Sequence, residues 1–173
     1  MRSWIVRIAA LLVLAGFLAT AAMAEDAGYS NRILISYDMG TAGFGTVYDF
    51  VDAEVYVFRD KTVRMITSVP EETVLAEFTL TDEEYACFEH LAEPARILGL
   101  YIDPNETVID GSISHVRLYG PNDEIVVEKS GYTSSLTELG KLRRSLQEVL
   151  EPYGLRQRLE SYRQHLRDEK ALD

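Results

Sequence analysis

The chain has 173 residues, of which 47% are hydrophobic, and this is enough to form one domain with its own core. Its 28 acidic and 17 basic residues give a net charge of −11, a field that repels the phosphates of nucleic acids. The one cysteine, Cys87, excludes an intrachain disulfide and a cysteine-based metal site. Because Cys87 lies in a helical stretch, we predict that it packs as a small hydrophobe.

Residues 1–24 have the pattern of a cleavable export signal. Arg2 and Arg7 give a basic start, residues 8–22 carry no charge, and Ala22-Met23-Ala24 supplies the small residues that a signal peptidase requires. The apolar run is shorter than the roughly 20 residues that a membrane-spanning helix needs. We therefore predict that the mature chain begins near residue 25, does not insert stably into the membrane and is periplasmic or extracellular.

Alternation of apolar and polar residues predicts the first strands. Residues 33–38 alternate with a period of two, a glycine-rich segment at 40–45 interrupts the pattern, and a longer extended run covers 47–58. After a tight turn, residues 62–68 supply the returning strand, and 74–80 are another short extended candidate. The second run is expected to bury one face, formed by Val51, Ala53, Val55 and Val57.

A helix follows these strands. Thr81 and Glu84 have the spacing of a capping box, which satisfies two backbone donors at a helix N-terminus. Pro94 ends this helix or begins a new turn, and the irregular, acidic stretch 99–111 comes next. The buried stripe of the helix is predicted to be Tyr85, Phe88, Leu91 and Ala92.

A second hairpin and a second helix repeat that order. Residues 113–119 and 124–129 are extended and flank a Gly-Pro-Asn-Asp turn. Ser135 and Glu138 have the spacing of another capping box, which opens the helix. Its buried positions are predicted to be Leu139, Leu142, Leu146, Val149 and Leu150.

The last helix, within residues 154–173, is amphipathic. Its apolar residues form a narrow seam with arginines on both sides, opposite in sign to the rest of the acidic chain. Three arrangements are consistent with this pattern. The helix folds back onto its own domain, joins a partner or a second copy, or lies on an anionic membrane surface.

These elements predict an α+β fold: an antiparallel sheet of four to six strands with two or three helices packed on one face. Residues 51–92 and 113–150 each contain a hairpin followed by a helix, so a ββα pseudo-repeat is one interpretation. Residues 25–153 are expected to form one domain, followed by the amphipathic C-terminal helix at 154–173.

Two sets of side chains are candidate sites. Clustered oxygen ligands in the acidic stretch are a candidate calcium site, although their spacing does not follow the EF-hand pattern. This metal set is Asp103, Asn105, Glu106 and Asp110. Aromatic residues on the sheet and its loops, together with the seam of the last helix, are candidate partner contacts. This binding set is Phe44, Tyr48, Tyr119, Tyr132, Leu155, Leu159, Tyr162 and Leu166.

The sequence therefore favours an exported, non-catalytic binding or interaction protein. Its expected partner is another protein, or a second copy that it meets through the last helix, and nucleic acid is not expected. No catalytic residue and no cofactor is predicted. Two alternatives stay open: a hydrolase-like enzyme outside the cytoplasm, with or without a metal, and an envelope component that associates with itself.

Overall fold

A computed structural model describes residues 32–40, 51–102, 112–134 and 136–170. In these ranges six antiparallel strands form one sheet, in the order β4-β3-β2-β1-β5-β6. The first strand lies between β2 and β5, and therefore joins the two hairpins that follow it in the chain. The strands are β1 (Ile33–Met39), β2 (Ala53–Phe58), β3 (Thr62–Thr67), β4 (Thr73–Thr79), β5 (Ser112–Tyr119) and β6 (Ile125–Thr133).

Four α-helices and a short 3-10 turn complete the described part of the chain. The predicted α+β class with an antiparallel sheet is confirmed. The four helices fit the two or three predicted against the sheet together with the C-terminal helix, and the five residues that start at Pro94 form one of them. The helical elements are α1 (Asp82–Leu91), α2 (Pro94–Leu98), α3 (Glu138–Val149), the 3-10 turn (Glu151–Tyr153) and α4 (Leu155–Lys170).

One face of the sheet is apolar and packs against the helices. Along β2, Ala53, Val55 and Val57 are buried whereas Glu54 and Tyr56 are half-buried, as the period of two in a strand requires. The apolar strand residues form one core with side chains from the helices. These helix side chains include Phe88, Ile97, Leu139, Leu142, Leu146, Leu155 and Leu159.

The two predicted hairpin-and-helix units lie on opposite sides of β1. The first consists of β2, β3 and α1, and the second of β5, β6 and α3. In the first unit β4 is inserted between the hairpin and the helix, and it forms an edge of the sheet. The units are therefore alike in the order of their elements but differ in strand number.

The N-terminus of α1 is capped as predicted. Thr81 Oγ1 accepts a hydrogen bond from Glu84 N, and the Glu84 carboxylate accepts one from Thr81 N at 2.8 Å. The carboxylate also accepts a hydrogen bond from the Tyr153 hydroxyl at 2.8 Å. The Thr81 bond, followed by the Tyr153 bond, lowers the pKa of Glu84 below its ordinary value.

This lowered pKa predicts a pH dependence. A carboxylate whose pKa is lower in the folded state stabilises the fold above its unfolded pKa, about 4.3, and this contribution is lost as the pH falls through the folded pKa. Glu84→Gln should therefore be less stable than the wild type near neutral pH, and the difference should close in acid. Urea unfolding at a series of pH values measures it, with Glu83→Gln as the control. A difference that stays constant into acid would contradict this assignment.

The second capping box is not formed as predicted. The N-cap residue of α3 is Thr137, whose Oγ1 accepts a hydrogen bond from Gly140 N at 3.0 Å. Glu138 is the first residue of the helix, so it cannot reach back as the third helical residue of a capping box does. Its carboxylate instead accepts a hydrogen bond from Tyr101 N at 2.6 Å. Ser135 lies outside the described residues.

Cys87 does not pack as a small hydrophobe, because its side chain is exposed. Adjacent residues of an α-helix point about 100° apart around the axis. Phe88, the next residue, is fully buried in the core, so Cys87 is turned toward solvent. The prediction was wrong because one position along a helix separates the buried stripe from the exposed face.

The last helix folds back onto its own domain, which is the first of the three predicted arrangements. Leu155 and Leu159 are only 2% and 3% exposed and belong to the domain core, and Leu166 is also buried. The Tyr162 hydroxyl donates a hydrogen bond to Val69 O at 3.3 Å, beyond the end of β3. The apolar seam is therefore occupied by the domain itself, and these leucines are not a free contact surface.

Candidate binding site

The turn between α3 and α4 brings these two helices together. The 3-10 turn contains Pro152 and is followed by Gly154, which has a φ of 64°. This left-handed conformation suits glycine because a Cβ would clash with the backbone there. The end of α3 and the beginning of α4, on either side of this turn, line one common space.

Tyr153 fixes this turn to the rest of the domain. Its ring stacks on Phe78 of β4, with centroids 3.8 Å apart and an angle of 11° between the planes. Its hydroxyl donates to Glu84 of α1. The hydrogen bond to Glu84, followed by desolvation, raises the pKa of Tyr153, so this hydroxyl stays protonated and remains a donor.

Two substitutions of Tyr153 should measure the contributions of the stacking and of the hydrogen bond separately. Tyr153→Phe keeps the stacking and loses the hydrogen bond, which should cost about 1 kcal/mol of unfolding free energy. Tyr153→Ala loses both contacts and should cost about 3 kcal/mol. Chemical denaturation measures both values. Tyr101→Phe is the control, because Tyr101 is exposed, and equal losses for the two Tyr153 variants would show that the stacking contributes nothing.

A groove lies between the end of α3 and the beginning of α4, with a volume of about 300 Å³. We call it the α3–α4 groove. Its apolar residues are Met39 at the end of β1, Leu150 and Leu155, all of them buried. Its polar residues come from α3, the 3-10 turn and the first turn of α4. They are Arg144, Gln147, Glu148, Glu151, Arg156 and Gln157.

The polar side chains of the groove are not used to hold the fold. Within the described ranges, none of the six makes a hydrogen bond or an ion pair with another side chain. Arg144 and Arg156 lie on different helices and bring two guanidinium groups to the groove. Glu148 and Glu151 bring two carboxylates, so charges of both signs are available to a ligand.

A smaller space of about 30 Å³ adjoins the groove and shares Met39, Gln147 and Arg156 with it. Two inward-facing arginines, Arg143 and Arg163, also line this smaller space. Unlike the arginines of the groove, both of them are bound to the ends of the strands, and they fix the position of α3 and α4.

Arg163 attaches α4 to the sheet. It is only 2% exposed, and its Nε and Nη2 donate hydrogen bonds to Val51 O at 2.9 and 2.7 Å. Its Nη1 donates to Glu160 at 2.5 Å, and Asp52 lies 3.7 Å from Nη2. Desolvation raises the pKa of Asp52, although Arg163 opposes this effect.

Arg143 attaches α3 to the sheet in a similar way. Its guanidinium donates hydrogen bonds to Gly40 O at 2.8 Å and to the hydroxyl of Ser114 on β5. It also lies 3.7 Å from the Asp38 carboxylate on β1. The two helices that form the groove are therefore both anchored by buried or half-buried arginines.

Tyr37, on β1, offers no chemistry to this region. It is fully buried, and its hydroxyl makes no hydrogen bond with any described group. Desolvation raises the pKa of this hydroxyl far above its ordinary range, with Arg143 opposing and Asp38 adding to the effect. Tyr37 thus stays protonated and cannot act as a base.

On the polar face of the sheet, the Glu54 carboxylate is the centre of a network of hydrogen bonds. The carboxylate accepts hydrogen bonds from Ser36 at 2.7 Å, from Tyr56 at 2.9 Å and from Arg117 at 2.9 Å. The Tyr119 hydroxyl lies 3.0 Å from Ser36 Oγ. Desolvation, followed by the hydrogen bond to Glu54, raises the pKa of Tyr56. Tyr119, a predicted contact residue, is therefore already engaged within the protein.

The other predicted site residues are distributed as follows. Phe44 and Tyr48 lie outside the described residues, as does the whole metal set of Asp103, Asn105, Glu106 and Asp110. Tyr132 is part of β6, but its side chain is outside the described part of the structure. Of the predicted contacts that the structure describes, Leu155 alone lines the α3–α4 groove.

The sequence did not single out the polar residues of the groove. Arg156 was recognised only as a basic flank of the last helix, and no pattern distinguished Arg144. A signal for Arg163 was present: it follows Leu159 by four residues and precedes Leu166 by three, so it lies on the buried side of the helix. The groove itself depends on how α3 and α4 meet, which no local pattern encodes.

The groove offers charge pairing, hydrogen bonding and an apolar contact. Among the residues that the structure describes, no group of three His, Cys, Asp or Glu side chains is placed to hold a metal ion. No helix in the same ranges is both long and apolar enough to cross a membrane. Comparison with known proteins assigns no family: no family model matches the chain, and no curated protein is significantly similar to it.

Proposed function

We propose that the protein is an exported, non-catalytic binding protein that holds its ligand in the α3–α4 groove. The observation that carries the proposal is the groove itself, a space of about 300 Å³ with buried apolar residues and six polar side chains. Ligand sites in proteins combine an apolar lining with a few polar groups and have volumes from about 300 Å³ upward. The groove lies at the lower end of this range of volumes, and its lining is mainly polar, with six polar and three apolar residues.

The lining offers groups that can bind a ligand, and Glu148 and Glu151 are its only described side chains of a type that acts as a base or a nucleophile. The described residues of the groove include no serine, threonine, cysteine, lysine or histidine, so they offer no hydroxyl, thiol, amine or imidazole nucleophile. Arginine, glutamine and glutamate side chains can orient a ligand by charge and hydrogen bonds. The anchors at Arg143 and Arg163 hold the two helices in place, so the groove is formed before a ligand arrives.

Reversing the charge of two arginines tests this function. Arg144→Glu with Arg156→Glu changes the groove, while Arg96→Glu with Lys141→Glu makes the same charge change at exposed positions elsewhere. Each tagged full chain is produced in the organism that naturally makes the protein. It is then recovered from the cell envelope and from the medium of that organism. We expect one component to be recovered together with the wild type and with the control variant. The same component should be missing from the material recovered with the groove variant. Identical recovery by all three proteins would contradict a binding role of the groove.

The export part of the proposal has a separate test. The pattern of residues 1–24 supports removal of a signal near residue 25. Intact mass and N-terminal sequencing of the recovered chain are expected to place its first residue there. A cytoplasmic chain that retains Met1 or begins at Arg2 would contradict export.

A further inference from the structure

We draw no further inference here: the strongest candidate, the first turn of α4 with Arg156 and Gln157 beside Arg144 in the α3–α4 groove, belongs to the site already described, and no contact among the described residues selects what would occupy it.

Discussion

Deletion of residues 154–173 is expected to unfold the domain, and not merely to remove a peripheral helix. The deleted segment includes Leu155, Leu159 and Leu166, which are buried against the domain, and Arg163, which binds Val51 O. Burial of one such apolar side chain contributes about 1.5–3 kcal/mol. The whole domain is stable by only about 5–15 kcal/mol, so the loss of all these contacts is comparable with its total stability.

Circular dichroism with urea denaturation measures this result. The truncated chain should lack a cooperative transition, and Leu159→Ala should lower the unfolding free energy by about 2–5 kcal/mol. Gln157→Ala, at an exposed position on the same helix, is the control and should change it by less than about 0.5 kcal/mol. A truncated protein with a wild-type transition would show that α4 is not part of the core.

Arg163→Leu should be the most destabilising single change among the charged residues of α3 and α4, at about 2–4 kcal/mol. The guanidinium is buried and satisfies Val51 O with two donors, while Glu160 and Asp52 balance its charge. Leucine fills part of the space but leaves the carbonyl without these donors. Arg163→Lys should also be costly, because one ammonium cannot reproduce the planar fork of the guanidinium.

Arg158→Leu is the matched control for Arg163, since Arg158 is exposed on the same helix. Its unfolding free energy should stay within about 0.5 kcal/mol of the wild type. Guanidinium denaturation of the three variants gives the comparison. A loss for Arg163→Leu no greater than that for Arg158→Leu would contradict the anchoring role of the buried arginine.

Local patterns predicted the elements of this fold well. Alternation along β2 identified its buried face, and the spacing of Thr81 and Glu84 identified the start of α1. Both features are determined by residues close together in the sequence. Errors arose where a single position decides the outcome, as at Cys87, or where two hydroxyl residues compete for one cap, as at Ser135 and Thr137.

Long-range features were beyond these patterns. The amphipathic character of the last helix was evident, but a seam of leucines suits its own domain as well as a partner. In the structure the last helix packs on its own domain, where Arg163 donates a hydrogen bond to Val51 O, a group 112 residues earlier in the chain. The groove follows from the same packing, so its residues, Arg144 and Arg156 among them, could not be identified before α3 and α4 were placed.

The central claim is that the α3–α4 groove, and not the polar face of the sheet, is the contact surface. Hydrogen–deuterium exchange of the full chain tests it most directly, with and without the soluble fraction of the host envelope. We predict slower exchange in peptides that cover residues 144–157. Slower exchange confined to β2, β5 and β6, around Glu54 and Tyr119, would contradict the claim and would assign binding to the face of the sheet.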